Sequence, residues 1–183
     1  MEIFVFSSKN LTNMWAGIGA RRWAVSQTED SATSQGRRTK AQNMKIGSFG
    51  ILYCTNTHAL TTPFVVYSKV DPNRVVENVW PETWVLPFAI HPLGNPEHQL
   101  TSDEAKRILP IFTRSGATNF GRVFHVQAVT AFSPTTIEQE DWDILVSRLA
   151  TKSGAALCRF LEVPKSNQNP PLPLRGRSAA RKR

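Results

Sequence analysis

The chain has 183 residues, room for one ordinary domain with a sizeable apolar core plus a tail. No run approaches the roughly 18 apolar residues of a membrane span, and Met1–Phe6 lacks the basic start and long apolar stretch of a secretory signal. Cys54 and Cys158 sit in apolar stretches without paired spacing, which reads as reduced, buried thiols in a cytoplasmic protein.

The net charge is +8, from 22 basic and 14 acidic residues, and it favours a polyanionic partner. The distribution matters more than the total. Residues 164–183 carry Lys165, Arg175, Arg177, Arg181, Lys182 and Arg183 with no acid, so the remainder holds 16 basic against 14 acidic groups. The chain therefore divides into a mildly basic domain over 1–163 and a basic, Pro-rich linker or tail over 164–183, where Pro164, Pro170, Pro171 and Pro173 oppose regular structure. Within the domain, Arg21, Arg22, Arg37, Arg38, Lys40 and Lys45 face only Glu29 and Asp30 in the same stretch, and such a run can follow a phosphate backbone.

In chain order, Ile3–Phe6 and Arg22–Ser26 read as strands joined by a polar stretch whose Gly17 and Gly19 permit unusual turns. Residues 27–43 are polar throughout and read as a long loop or poorly formed helix. Phe49–Cys54 and Phe64–Val70 have the aromatic and β-branched bias of adjacent buried strands. Asp71-Pro72-Asn73 is turn chemistry, and Trp84–Ile90 and Arg122–Val129 continue a strand-rich organisation. Thr101-Ser-Asp-Glu104 is a capping box ahead of a helix over Ala105–Leu109, and Thr135-Thr-Ile-Glu138 precedes a second helix over Ile137–Ala150 with Ile137, Ile144, Leu145 and Leu149 as its apolar stripe. Leu157–Val163 closes the domain as a final strand.

Catalysis finds little support in this pattern. His58, His91, His98 and His125 are scattered, and Cys54 with His58 lacks a second pair to complete a zinc tetrahedron, so no metal is expected. Gly17-Ile-Gly19 lacks the further glycines and the Lys-Ser/Thr ending of a phosphate loop, and no other cofactor motif is present. No nucleophile has a base in a recognisable context.

The tryptophans are the unusual feature. Trp15 and Trp23 flank the glycine-bearing stretch, and Trp80 and Trp84 bracket Pro81-Glu-Thr83 in a short loop where both are expected to be hard to bury completely. Flat indole faces can sandwich an extruded base, and a methyl group on that base adds apolar contact. Trp23, inside a strand-like run, reads more readily as a core anchor, and Trp142, on the second helix, as packing.

With these residues in view, the chain resembles the EVE and YTH branch of the PUA-like superfamily. Asn13-Met-Trp15, Gly17-Ile-Gly19 and Trp23-Ala-Val-Ser26 look like the opening of EVE domains, and Met44-Lys-Ile-Gly47 with the following strand is similar to their second strand. Val79-Trp80-Pro-Glu-Thr-Trp84-Val-Leu-Pro-Phe88 resembles the paired-tryptophan loop of the YTH methyladenine cage, though its two tryptophans stand one residue closer together. The resemblance implies an α+β fold: a curved mixed β-sheet or small barrel with flanking helices, holding a pocket for one flipped base. It implies Trp80 and Trp84 as the stacking pair, with Trp15 or Tyr53 as a third wall.

The first expectation is a non-catalytic reader of modified DNA, carrying methylated or hydroxymethylated cytosine or methylated adenine. In it Trp80, Trp84, Trp15, Trp23 and Tyr53 surround the base, Ser26 and Gln27 bond its edge, and the basic stretch contacts phosphates. EVE domains of this bacterial type are often joined to nucleases or AAA-type motors of modification-dependent restriction, which makes such a module the expected partner. The alternatives are a YTH-like reader of methyladenine in RNA and, in another class, an enzyme acting through Glu82, His91 or Asp103.

Overall fold

A computed structural model describes residues 1–162; the basic tail and Val163 lie outside the described residues. Eight strands and seven helices follow one another as β1 (Glu2–Ser8), α1 (Leu11–Gly19), β2 (Arg22–Ser26), α2 (Ser31–Asn43), β3 (Phe49–Cys54), β4 (Ala59–Val66), β5 (Val75–Val76), β6 (Trp84–Pro92), β7 (Leu100–Thr101), α3 (Ser102–Ile108), α4 (Pro110–Ser115), α5 (Phe120–Val123), β8 (Pro134–Thr136), α6 (Gln139–Leu149) and α7 (Lys152–Glu162).

The strands form one curled mixed sheet in the order β2-β6-β4-β3-β1-β8, with β5 on β6 and β7 on β4. Among the described residues only β1 and β3 run parallel, and α1, β2 and α2 supply the crossover between them. Two-residue periodicity gives the sheet a core on each face. Phe4, Phe6, Leu52, Cys54, Phe64, Val66, Phe88 and Ile90 point to the side covered by α1 and α2. Ile3, Val5, Ile51, Tyr53, Leu60 and Val65 point to the side covered by α3–α7. Central β4 is buried along all eight residues, as a strand covered on both faces must be.

Several sequence expectations change here. The Gly-bearing stretch is helix α1, capped by Asn10, whose side chain accepts from the Asn13 N–H; Gly17 serves close packing instead of a turn. Residues 31–43 form a full helix because Asp30 caps it through Ala32 and Thr33, and only Arg37 and Ala41 of that polar segment are buried. Arg122–Val129 contributes to no strand; Phe120–Val123 is a short helix and Ala128–Thr130 a 3-10 turn. Thr135 lies in strand β8, and the cap of α6 is Glu138, paired reciprocally with Asp141. Leu157–Glu162 is helical, since α7 turns its Cys158 side toward the α6 core.

Candidate functional site

At the free end of the β2–β6 ribbon, three tryptophans meet. Trp84 opens β6 and pairs with Ser26 on one side and Val76 on the other. Trp23, one pleat inside β2, is 0% exposed. Trp80 hangs on the turn between β5 and β6. Its ring lies face to face with Trp84, centroids 4.5 Å apart and planes 20° apart. Trp23 stands at 80° to both, with centroids 5.7 Å from each.

This geometry corrects the sandwich expected from sequence. A base between two parallel rings needs them about 7 Å apart, twice an ordinary carbon contact, and Trp80 and Trp84 instead stack on each other. Both are only 5% exposed despite the proline between them. Trp80 is held by its indole N–H, which donates to the Asn13 carbonyl at 2.7 Å. A Cβ at Gly17 would come within 2.9 Å of Trp80 and 2.8 Å of Trp23, so glycine is what lets α1 approach the rings. Trp84 directs its own N–H to the Glu82 carboxylate at 3.4 Å. The Trp23 indole N–H is buried with no hydrogen-bond partner among the described residues, which is rare for a donor and costs stability.

The two third-wall candidates are placed elsewhere. Tyr53 belongs to the opposite face, where pleat alternation sets it against Phe120, with its hydroxyl 3.4 Å from Ser102 Oγ. Trp15 is 44% exposed on the outer side of α1. The ring perpendicular to the stack is Trp23. The sequence had placed Trp23 among the residues around the base while its apolar strand context favoured core packing, and the structure brings the two roles together.

Ser26 and Gln27, both exposed, border the cluster: Ser26 pairs with Trp84, and the Gln27 N–H donates to the Thr83 carbonyl at 3.0 Å. Beside them, β6 carries a bulge. Leu86 and Pro87 stand opposite the single residue Ala24, with Leu86 at φ 58. A branched residue in the left-handed region stores strain, a feature concentrated near binding sites.

Of the basic residues, Arg21, Arg38, Lys40 and Lys45 are exposed and Arg22 half-buried. Arg37 is different: its guanidinium is buried and donates to the Ser26 carbonyl at 2.9 Å. Burial pulls its pKa below the usual arginine value. It therefore ties α2 to the end of β2, between two small cavities of about 40 and 80 Å³. A cleft of about 660 Å³ lies between α6 and α7, among Asp143, Arg159 and their neighbours, and is lined by none of the tryptophans.

The residues of the enzymatic alternative lie on separate elements. Glu82 is on the turn before β6, exposed His91 at the other end of β6, and Asp103 on α3, paired with Lys106. Among the described residues no three His, Cys, Asp or Glu side chains converge, and no helix is long and apolar enough to cross a membrane.

No protein-family model matches the chain, and no curated protein matches its sequence. Solved structures do match the fold. The apo YTH domain of Toxoplasma CPSF4 superposes with a TM-score of 0.54 at 10% identity, over 83% of this chain and 90% of that one. The Mmi1 YTH domain gives 0.51 at 11% identity, over 86% and 78%. The curled half-barrel with flanking helices is thus a YTH-type fold. The Toxoplasma domain in complex with a 7-mer m6A-modified RNA also aligns, with a TM-score of 0.42 at 14% identity over 56% of this chain and 66% of that one.

Proposed function

We propose that the domain of residues 1–163 is a reader that takes one modified base of a nucleic acid, N6-methyladenine in RNA, onto the face of Trp84 and against Trp23. The observation that carries this reading is the three-tryptophan cluster at the sheet edge, two rings stacked and the third perpendicular. It gives a flat face for a base and an aromatic wall at right angles for a methyl group. Because the stack has no gap, the base enters by exchanging with one of its two rings. An indole and a purine are both fused five- and six-membered rings, which favours adenine over a methylated cytosine. The fold agrees: the Toxoplasma YTH domain is one solved with m6A-modified RNA. Single-stranded RNA also presents its bases without the cost of extrusion from a duplex.

In this reading Ser26 and Gln27 bond the edge of the base, and Arg21, Arg22, Arg38, Lys40 and Lys45 contact phosphates. The domain acts by binding, and any chemistry belongs to a partner module.

The test is titration of the purified chain, at one fixed salt concentration, with matched oligonucleotides. The RNA arm carries adenine or N6-methyladenine. The DNA arm carries cytosine, 5-methylcytosine, 5-hydroxymethylcytosine, adenine or N6-methyladenine. Selective binding of methylated RNA that Trp84→Ala weakens is the expected result. Selectivity for one modified DNA base would replace RNA with the restriction-type reading that the EVE resemblance implies. Equal, salt-sensitive binding to every oligonucleotide would discard both.

A further inference from the structure

We infer that Trp80 is a displaceable plug: its indole occupies the place of the bound base, and a base binds by driving it out. The inference rests on the reading of the cluster as a base site and adds which ring yields.

The two stacked rings are held differently. Trp84 is part of the sheet, paired with Ser26 and Val76 on its two sides. Trp80 belongs to no strand or helix and is held through the ring stack, the contact with Trp23 and the bond to the Asn13 carbonyl, with its neighbour Val79 half-buried against the same core. The turn that carries it is clamped at its far end by the Gln27 N–H on Thr83. At its near end stands Asn78, at φ 65, one of the few residue types that take the left-handed region readily. Between these points Pro81 and Glu82 are exposed. Rotation about Asn78 moves Trp80 outward while β6, Trp84 and Trp23 stay in place.

The vacated place suits its replacement. A purine there stacks on Trp84, and an exocyclic N–H takes over the bond that the Trp80 indole made to the Asn13 carbonyl. Base and indole make the same contacts and exclude each other. Apparent affinity is then the intrinsic affinity reduced by the open fraction, and an open population of about 1–10% weakens binding about 10–100-fold.

The experiment compares the whole chain with its Trp80→Ala and Trp84→Ala variants, titrated with an RNA oligonucleotide carrying one N6-methyladenosine, each variant's fold being checked by thermal melting. Trp80→Ala should bind about 10–100-fold more tightly than the unmodified chain, and Trp84→Ala should bind about 5–150-fold more weakly. A second measurement needs no variant to fold well: the indole N–H signal of Trp80, followed by NMR, should be protected from solvent exchange in the free protein and lose that protection in the complex. Binding by Trp80→Ala where the unmodified chain shows none also supports the plug. A folded Trp80→Ala that binds more weakly than the unmodified chain, or a Trp80 N–H still protected in the complex, overturns the plug and leaves the reader standing with Trp80 as a wall. Failure of every protein, Trp80→Ala included, to prefer any modified base overturns the reader and the plug together.

Discussion

Arg37 donates to the carbonyl oxygen of Ser26 at 2.9 Å, eleven residues back along the chain, and so fastens helix α2 to the strand end that borders Trp84. Its neighbour Arg38 is exposed. Adjacent arginines thus have separate roles, and salt dependence separates them. Arg38→Ala should weaken nucleic-acid binding about equally for all sequences and lower the slope of log K against log salt by about 1. Arg37→Met should lower the thermal midpoint and leave that slope unchanged. A smaller slope for Arg37→Met would show that its guanidinium reaches a phosphate after all.

Trp84 and Trp23 test the cluster itself. Stacking on an aromatic side chain contributes about 1–3 kcal/mol per base, so Trp84→Ala should weaken binding of methylated RNA by about 5–150-fold. Trp23 forms the perpendicular wall and the centre of the local core, so Trp23→Ala should reduce stability as well, by about 3–5 kcal/mol. Denaturant unfolding beside the titration tells the two effects apart: Trp84→Ala should lose proportionally more affinity than stability.

Much of the sheet was legible because its signal is local. Arg22–Ser26 and Phe49–Cys54 were bounded correctly from their apolar and β-branched content. Thr101 was legible as a cap because its partner Glu104 lies three residues away. What escaped depended on distant contacts. Leu157–Glu162 has the apolar content of a strand and became a helix because Cys158 packs on α6, with Trp142 donating its indole N–H to the thiol at 3.2 Å. Tyr53 looked like a cage wall until the register of β3 with β1 and β4 fixed the face it serves. The same holds for Trp80, whose loop setting promised exposure. Its burial is supplied by Asn13, 67 residues earlier, and by the glycine that opens α1 to it.

The cap of α2 makes that helix pH-sensitive. Hydrogen bonds from Thr33, side chain first and then backbone, hold the Asp30 carboxyl below its ordinary value of 3.8. A carboxylate whose pKa is depressed by folding contributes fully above its unfolded value, and the contribution is lost as pH falls through the lowered one. Helix α2 should therefore be unaffected by acid down to about pH 4 and fray below it, an effect followed by amide exchange in residues 31–36. Asp30→Asn, which caps without titrating, should remove this pH dependence. Persistence of the acid fraying in that variant would assign it to another carboxylate.

Asp141 is the buried charge of the other face. It is 0% exposed and accepts from the Ile111 N–H at 2.8 Å, from the Glu138 N–H at 3.2 Å and from the Arg114 guanidinium. It thereby ties the starts of α4 and α6 together. Removing it leaves two backbone donors without their acceptor and Arg114 to its other partner, Glu140 at 3.6 Å, so Asp141→Ala should cost about 2–5 kcal/mol. Denaturant unfolding measures this directly, and a loss below about 1 kcal/mol would mean that water reaches these donors.

Helix α7 is seated by Gly154, where an added Cβ would fall 1.7 Å from the Leu93 carbonyl oxygen. That oxygen accepts from the Thr151 N–H at 2.9 Å and belongs to backbone, so it cannot yield as a flexible side chain would. Gly154→Ala must therefore lift α7 from the strand connection, against the helical preference for alanine of about 1 kcal/mol. The readout is the Cys158 thiol, which is 1% exposed beneath Trp142. Labelling by a thiol reagent should be slow in the unmodified chain and faster by about tenfold or more in Gly154→Ala, while Cys54, on the opposite face of the sheet, keeps its rate. An equal acceleration at both cysteines would mean global destabilisation instead of release of one helix.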